Sequence, residues 1–184
     1  MWSFEHSGVV PDIVVASKGL GGGVPIAVIV MKSALNVWGA GAFTGTFRGN
    51  AMAFAASTAV LQFIREQDLG RSVDARGAQL MSGLQRLGMR TGMIGDVRGK
   101  GLMVGVEIVE PDAEADARGV RPASRRGARQ LQRTCFDDGL IVEVGGRDDN
   151  VIRFLPPLTV SAAEIEAIVE RFERAVRRSE EGYA

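Results

Sequence analysis

The first third of the sequence contains two short apolar runs that flank a glycine-rich segment. The first run is Ile13 to Ala16 and the second is Val24 to Met31, and both are short and continuous. Runs of this kind are typical of strands buried in a sheet. Between them, Lys18 is followed by four glycines within five positions. The pattern therefore predicts two core strands joined by a glycine-rich loop that begins at a lysine.

Helical periodicity begins after an irregular stretch. Residues 38–50 are rich in glycine and threonine and have no clear period, which indicates a loop. From Ala51, apolar residues recur near helical spacing with small residues between them, so we expect a helix that is buried on most sides. A second amphipathic segment, Val73 to Leu87, follows a break at residues 68–70. A domain boundary is therefore expected near Gly70.

The rest of the sequence alternates between strand and helix patterns. The predicted elements are strands within 93–109, 140–146 and 151–158, a helix over 125–138 that ends at Gly139, and a last helix that the capping box of Ser161 and Glu164 opens. Elements in this order indicate an α+β domain whose sheet is covered by helices on one face. We predict an α/β chain of two domains, residues 1–69 and 70–184.

Composition and charge exclude several classes of function. The 22 basic and 22 acidic residues balance, so no net field attracts nucleic acid or an anionic membrane. The longest uncharged apolar run has eight residues, well short of the roughly 20 that a membrane-spanning helix needs. With one histidine and one cysteine, Cys135, we expect no disulfide and no metal site, and we expect this cysteine to be a buried apolar residue. The absence of a basic leader before an apolar stretch predicts a cytoplasmic protein.

Lys18 is unusual because lysine is rarely placed between buried strands. Burying an ammonium group without a partner is unfavourable and promotes the neutral amine, which is the nucleophile of Schiff-base chemistry. A phosphate-binding P-loop would need the lysine after the glycines, and a dinucleotide-binding fingerprint would need glycine where Val24 stands. Two interpretations stay open. In the first, Lys18 is a covalent catalyst and the glycines that follow it make room for a cofactor. In the second, it is an ordinary turn lysine that reaches solvent.

Four motifs extend this picture along the chain. In order, they are PDIVVASKGLGGGVPIAVIVM at 11–31, GTFRGNAMAFAAS at 45–57, GDVRGKGLMVGVEIV at 95–109 and VIRFLPPLTVSAAEIEAI at 151–168. Together they closely resemble the class III aminotransferases, which are pyridoxal-phosphate (PLP) enzymes of fold type I. The resemblance covers essentially all 184 residues. It implies the C-terminal part of that fold, namely the end of the large PLP-binding domain and the small α+β C-terminal domain.

The resemblance implies roles for three residues. Lys18 corresponds to the catalytic lysine that binds PLP covalently and shuttles a proton during amino transfer. Thr46 corresponds to a threonine that contacts the cofactor phosphate of the neighbouring subunit, which implies a homodimer with a shared active site. Arg153 corresponds to an arginine that binds a substrate carboxylate, often that of 2-oxoglutarate. Without the resemblance, Thr46 would be an ordinary loop threonine and Arg153 a strand arginine paired with a surface acid.

The motifs around Thr46 and Arg153 are most similar to those of family members that act on diaminobutyrate. The implied reaction moves an amino group between L-2,4-diaminobutyrate or aspartate 4-semialdehyde and glutamate or 2-oxoglutarate. The alternatives are another ω-amino-acid transaminase, acting on 4-aminobutyrate, ornithine or acetylornithine, and an inactive remnant that serves only in dimerisation. Because family members are much longer, we expect this chain to be a fragment that is incomplete by itself.

Overall fold

The computed structural model describes residues 2–42, 44–46 and 48–181. The chain divides into two compact units, an N-terminal unit, Met1–Gly70, and a C-terminal unit, Arg71–Ala184. Within the described ranges, no helix combines the length and the apolarity that crossing a membrane requires.

Two antiparallel strands and one helix form the N-terminal unit. Strand β1 (Ile13–Ser17) pairs with strand β2 (Ala27–Met31), and helix α1 (Ala51–Glu66) follows them in the chain. The side chain of Asn50 accepts hydrogen bonds from two backbone N–H groups of the first turn of α1. This cap fixes the start of the helix because it satisfies donors that the helix itself leaves free.

The strands of the N-terminal unit are less buried than their apolar runs predict. Alternate side chains are partly buried, and the large apolar ones left exposed include Ile13, Val15 and Ile29. Helix α1 buries only Ala53 and Ser57 fully. The expectation of full burial was wrong for this chain, because one helix covers only one face of a two-stranded sheet. The other face of the hairpin is open to solvent.

A four-stranded antiparallel sheet with helices on one face forms the C-terminal unit. Its strands are β3 (Ile94–Lys100), β4 (Met103–Ile108), β5 (Glu143–Gly145) and β6 (Val151–Phe154), in the order β3-β4-β6-β5. The helices are α2 (Leu69–Gly88), α3 (Arg125–Asp137) and α4 (Ala162–Glu181). Leu84, Leu131 and Phe172, one from each helix, are fully buried in a single core with Val106 and Ile152 of the sheet. The helices therefore cover one face of the sheet, as the sequence predicts.

Charged side chains occupy the opposite face of this sheet, which we call the open face. Arg98 of β3, Gly105 of β4, Arg153 of β6 and Glu143 of β5 form one row of Cα partners across the four strands. Successive residues of a strand point to alternate faces of the sheet. The residues of this row therefore lie on the face opposite to the one that Val104 and its buried neighbours occupy. The open face is therefore free to meet a ligand.

Two strand ends differ from the prediction, and the structure locates the turn that divides residues 93–109 into two strands. Strand β3 continues through Lys100, and the turn falls at Gly101, whose φ is +53°. Strand β2 begins at Ala27 rather than Val24, and β6 ends at Phe154, before two prolines. Proline has no N–H to donate to a neighbouring strand, so the pairing of β6 stops there.

The capping box predicted at the start of α4 is present. The Ser161 N–H donates to Glu164 Oε2 at 2.7 Å, and the Glu164 N–H donates to Ser161 Oγ at 3.2 Å. Hydrogen bonds from Ser161, first of all that of its backbone N–H, lower the pKa of the Glu164 carboxyl because they stabilise its charged form. Ile165 and Val176 of the predicted apolar stripe are fully buried. Local sequence therefore determines both the start and the buried face of α4.

Candidate active site

Lys18 directly follows β1 and is the first residue of a 3-10 turn, Lys18–Gly21. Its φ is +50°, a left-handed conformation that is unfavourable by about 1–2 kcal/mol for a residue with a side chain. The turn is fixed on both sides. Ser17 Oγ donates to the Ile26 carbonyl at 2.7 Å, and Gly22 lies so close to α1 that an added Cβ would be 2.6 Å from Val60 Cγ2. The surrounding contacts therefore hold the Lys18 backbone in a defined position.

The side chain of Lys18 is exposed, as expected for a turn lysine that reaches solvent and not for one buried between apolar strands. The reason is geometric, since the turn carries Lys18 past the end of β1 before the chain returns to β2. No ion pair joins Lys18 to another described residue. Gly19 and Gly23 have open space where a Cβ would stand. The amine is thus accessible, and the backbone beside it leaves room for a ligand.

Thr46 lies in a turn ahead of α1, in the same unit as Lys18. Its side chain is exposed, and the Arg48 N–H donates to the Gly45 carbonyl across the turn at 3.4 Å. The neighbouring Phe43 and Phe47 lie outside the described residues. The Thr46 hydroxyl has no hydrogen bond to another described residue, so it is available to a ligand.

Arg153 lies in the C-terminal unit, in the middle of the open face. Its Nη2 forms an ion pair with Glu143 Oε2 at 2.8 Å, between strands β6 and β5. The guanidinium extends over Gly145, where an added Cβ would be 3.1 Å from both Nε and Cζ. The Arg153 side chain is 42% exposed, while its Nε is buried and has no hydrogen-bond partner. The pairing with a surface acid, which the sequence without the resemblance suggests for Arg153, is therefore present, and part of the side chain stays exposed.

A second arginine on the open face, Arg98, contacts two carboxylates. Arg98 Nη1 lies 2.7 Å from Asp96 Oδ2 and 2.6 Å from Glu107 Oε2. Hydrogen bonds to Asp96 and then to Glu107 raise the pKa of Arg98 above its usual value. Arg98 thus links β3 to β4 through its ion pair with Glu107.

Sequence reasoning did not identify Glu143 or Arg98 as members of this face. The sequence feature that could have identified them is the alternation of charged and apolar residues in strands β3, β4 and β5, which indicates one solvated face. The partner of each arginine depends on strand register, and register across distant strands cannot be read from local alternation. Glu143 is therefore a residue that only the folded sheet connects to Arg153.

An apolar cavity of about 380 Å³ lies in the N-terminal unit, between the hairpin and α1. Its lining includes Val14, Val28, Phe54 and Leu61, and it also includes Ser57, whose buried Oγ has no hydrogen-bond partner in the structure. Lys18 does not line it. This cavity is consequently distinct from the surface that Lys18 presents. Within the part of the chain that the structure describes, no cluster of histidine, cysteine and acidic side chains is arranged to hold a metal ion.

Known proteins match this chain along nearly all of its length. The family model for class III aminotransferases matches residues 1–176. The diaminobutyrate–2-oxoglutarate aminotransferase of Rhizobium meliloti is 42% identical over 182 residues, covering 97% of this chain and 39% of that protein. The enzyme of the same name from Haemophilus influenzae is 39% identical over 176 residues, covering 96% of this chain and 39% of that protein.

Solved structures match the fold. An Arthrobacter phospholyase in complex with phosphoethanolamine has a TM-score of 0.85 at 28% identity, covering 96% of this chain and 41% of that one. The acetylornithine aminotransferase of Elizabethkingia anophelis has a TM-score of 0.80 at 26% identity, covering 95% of this chain and 43% of that one. The chain spans about two fifths of the length of the curated relatives it matches. The resemblance seen in the sequence motifs is confirmed, and the chain belongs to the class III aminotransferase family.

Proposed function

We propose that this chain carries the catalytic lysine and a substrate-binding arginine of a PLP-dependent transaminase. The reaction moves an amino group between L-2,4-diaminobutyrate or aspartate 4-semialdehyde and glutamate or 2-oxoglutarate. The observation that carries the proposal is the 42% identity to a diaminobutyrate–2-oxoglutarate aminotransferase over 97% of the chain, with Lys18 in an accessible, fixed turn. The enzyme is further proposed to be a cytoplasmic homodimer.

The residues around Lys18 fit PLP. A primary amine stands on a fixed turn, and open space lies beside Gly19 and Gly23, where a side chain would otherwise crowd a bound ring. When bound, PLP supplies the electron sink that stabilises negative charge on the reacting carbon. Lys18 would hold the cofactor through Nζ, and the same amine would accept and return the proton of the carbon that carries the transferred amino group.

Thr46 is proposed to bind the phosphate group of the cofactor in the neighbouring subunit. Its free hydroxyl is a donor, and phosphate oxygens are strong acceptors. Gly45, which precedes Thr46, carries no side chain that would keep a phosphate away from the backbone. This role requires two copies of the chain, so the homodimer is part of the same proposal.

Arg153 is proposed to bind a substrate carboxylate on the open face. Guanidinium and carboxylate form two parallel charge-assisted hydrogen bonds, and the Arg153 ion pair with Glu143 engages only one of the guanidinium nitrogens. The exposed remainder of the guanidinium can therefore receive a ligand. Exposed ion pairs of this kind contribute about 0–1 kcal/mol, so a ligand can rearrange the pair without a large penalty.

A second candidate substrate is acetylornithine. The acetylornithine aminotransferase of a Synechocystis strain is 38% identical over 177 residues, covering 96% of this chain and 38% of that protein. That identity is only slightly below the values for the diaminobutyrate enzymes. Acetylornithine has a neutral amide where diaminobutyrate has a second amine, so the two substrates are easily compared in one assay.

The test uses the full-length product of the gene, purified with PLP. We expect kcat/KM with 2-oxoglutarate to be highest for L-2,4-diaminobutyrate, above acetylornithine, ornithine and 4-aminobutyrate. Lys18→Ala should lower kcat/KM by about a thousandfold or more, because it removes both the covalent anchor and the proton carrier. Borohydride reduction followed by peptide mass spectrometry should place the cofactor on Lys18.

Lys32→Ala is the matched control. Lys32 follows β2 of the same hairpin and pairs with Asp12 at 2.5 Å, so it is an exposed lysine with a structural partner. Its loss should change kcat/KM less than twofold. Full activity in Lys18→Ala, or a clear preference for acetylornithine, would contradict the proposed assignment.

A further inference from the structure

Ser17 is the last residue of β1, and its hydroxyl spans the base of the glycine-rich loop, residues 18–26. Ser17 Oγ donates a hydrogen bond to the Ile26 carbonyl at 2.7 Å. Ser17 and Ala27 are also Cα partners, and they are the last pair of the hairpin before the loop. The hydroxyl therefore connects the two ends of the loop just beyond the point where the pairing of the strands stops.

Lys18, the next residue, has a conformation that a lysine seldom adopts. Its φ of +50° lies in the left-handed region, which glycine adopts without strain. Within the described ranges, the other two non-glycine residues with a positive φ are Asp68 and Asp149. Aspartate tolerates this region more readily, because its short polar side chain can form local hydrogen bonds. Strained conformations persist only where surrounding contacts impose them, and they are concentrated at functional sites.

Of the two chain neighbours of Lys18, only Ser17 has a side chain that can impose this conformation, since the other is Gly19. The φ of Lys18 sets the direction in which the loop leaves β1. For φ to relax, the loop must leave the strand in another direction, which would pull the Ile26 carbonyl away from Ser17 Oγ. The same rotation would turn the Cα–Cβ bond of Lys18 and displace the amine at the end of its side chain.

We propose that Ser17 is a positioning residue for Lys18, because its hydrogen bond to the Ile26 carbonyl keeps Lys18 in the left-handed conformation and fixes the point from which its amine extends. The catalytic consequence of this inference rests on the proposed function. Ser17 acts only through Lys18, so its loss leaves the chemistry of the amine unchanged but widens the range of positions that the amine occupies. Because reaction rates depend steeply on the placement of the reacting groups, the effect should fall on kcat rather than on KM.

The first test measures the loop without catalysis, in the full-length gene product purified without added PLP. The Gly22 and Val24 N–H groups donate to the Gly19 and Gly21 carbonyls at 3.3 and 3.1 Å, so their hydrogen exchange, followed by mass spectrometry, reports on the loop. Ser17→Ala should accelerate this exchange by roughly threefold to tenfold, which corresponds to the loss of one hydrogen bond. Ser17→Thr keeps the hydroxyl and should restore the slow exchange.

Ser33→Ala is the matched control. Ser33 is an exposed serine that follows β2 of the same hairpin, and its hydroxyl forms no hydrogen bond to another described residue. Its loss should leave the exchange of the loop unchanged and should change kcat less than twofold.

The second test measures turnover of L-2,4-diaminobutyrate by the same variants with PLP. Ser17→Ala should lower kcat by roughly threefold to tenfold and leave KM within about twofold, and Ser17→Thr should restore kcat. Unchanged exchange in Ser17→Ala would overturn the inference. Faster exchange with an unchanged kcat would overturn it too, because Ser17 would then have a structural role only. If the unsubstituted protein turns over no amine, the proposed function fails, and the exchange rates still decide whether Ser17 holds the loop.

Discussion

Arg98 and Arg153 lie on the same sheet face but differ in how many carboxylates bind them. Arg98 is held between Asp96 and Glu107, whereas Arg153 has Glu143 alone and keeps a buried Nε without a partner. Both contacts of Arg98 are made by Nη1, which joins β3 to Glu107 of β4, whereas Nη2 of Arg153 joins β6 to Glu143 of β5. The two arginines therefore differ in the number of acids that contact them, which residue type alone does not reveal.

Cys135 is a buried residue whose thiol should be inert. It is fully buried on α3, and burial, with a smaller contribution from the charge of Asp138, raises its pKa to about 12. At pH 8 the thiolate is therefore a minor species, and the core shields it from reagents. We expect no reaction of the native chain with a disulfide reagent such as DTNB over an hour, and one equivalent after denaturation.

A cysteine placed at Met89 provides the reactive control for this measurement. Met89 is 79% exposed and lies just after α2, so the variant Met89→Cys should react with one equivalent at once in the native state. Rapid reaction of the native, unsubstituted chain would show that Cys135 is accessible.

At the scale of elements, α2 approaches the β3–β4 turn more closely than a side chain would permit. A Cβ added at Gly77 would be 2.7 Å from Gly101 Cα and nearer still to its carbonyl group. Gly101 in turn adopts φ of +53° at the tip of the turn. The two glycines therefore allow backbone to pack directly on backbone, which positions the hairpin that carries Arg98.

Gly77→Ala should destabilise the chain despite the better helix propensity of alanine. The propensity gain is about 1 kcal/mol, but overpacking against rigid backbone costs about 1–3 kcal/mol, so we expect a net loss of up to about 2 kcal/mol. Gly70→Ala is the matched control in the same helix, because nothing lies within 4 Å of its added Cβ. It should be neutral or stabilising by up to about 1 kcal/mol. Urea unfolding measures both, and equal effects would contradict this packing argument.

At the scale of the whole molecule, the two units differ in how completely their sheets are covered. Three helices cover one face of the C-terminal sheet around a continuous core, whereas the N-terminal hairpin has one helix and several exposed apolar side chains. The chain also spans about two fifths of the length of its curated relatives. A hairpin that carries Lys18 with one face uncovered is poorly supported for holding a cofactor ring.

We therefore expect the 184-residue chain alone to bind PLP weakly and to transaminate slowly or not at all. Lys18 would supply one contact to PLP, but the proposed site needs further groups to orient the ring and to stabilise its charge. Titration with PLP, followed by the absorbance of the lysine adduct, measures the affinity, and the Rhizobium meliloti relative serves as the positive control. Tight, saturable binding with steady turnover of glutamate by the 184-residue chain would overturn this expectation.

The elements that depend on local sequence were largely predictable. The capping box of Ser161 and Glu164, the buried stripe of α4 and the leucines of α2 all follow from spacing within one or two turns of helix. Prediction was less successful for the strands of the N-terminal unit. Short apolar runs indicate that a strand forms, but burial depends on which elements cover each face of the sheet.

The sequence by itself determined the order of the elements, because periodicity is a property of neighbouring residues. The resemblance of its motifs to known enzymes indicated the family and the three candidate residues Lys18, Thr46 and Arg153. Only the tertiary structure decided that Lys18 is exposed on a left-handed turn and that Arg153 pairs with Glu143. Both outcomes depend on where the chain reverses and on the register between β5 and β6. Register is set by packing and turn geometry over the whole sheet, so it is established only when the sheet forms.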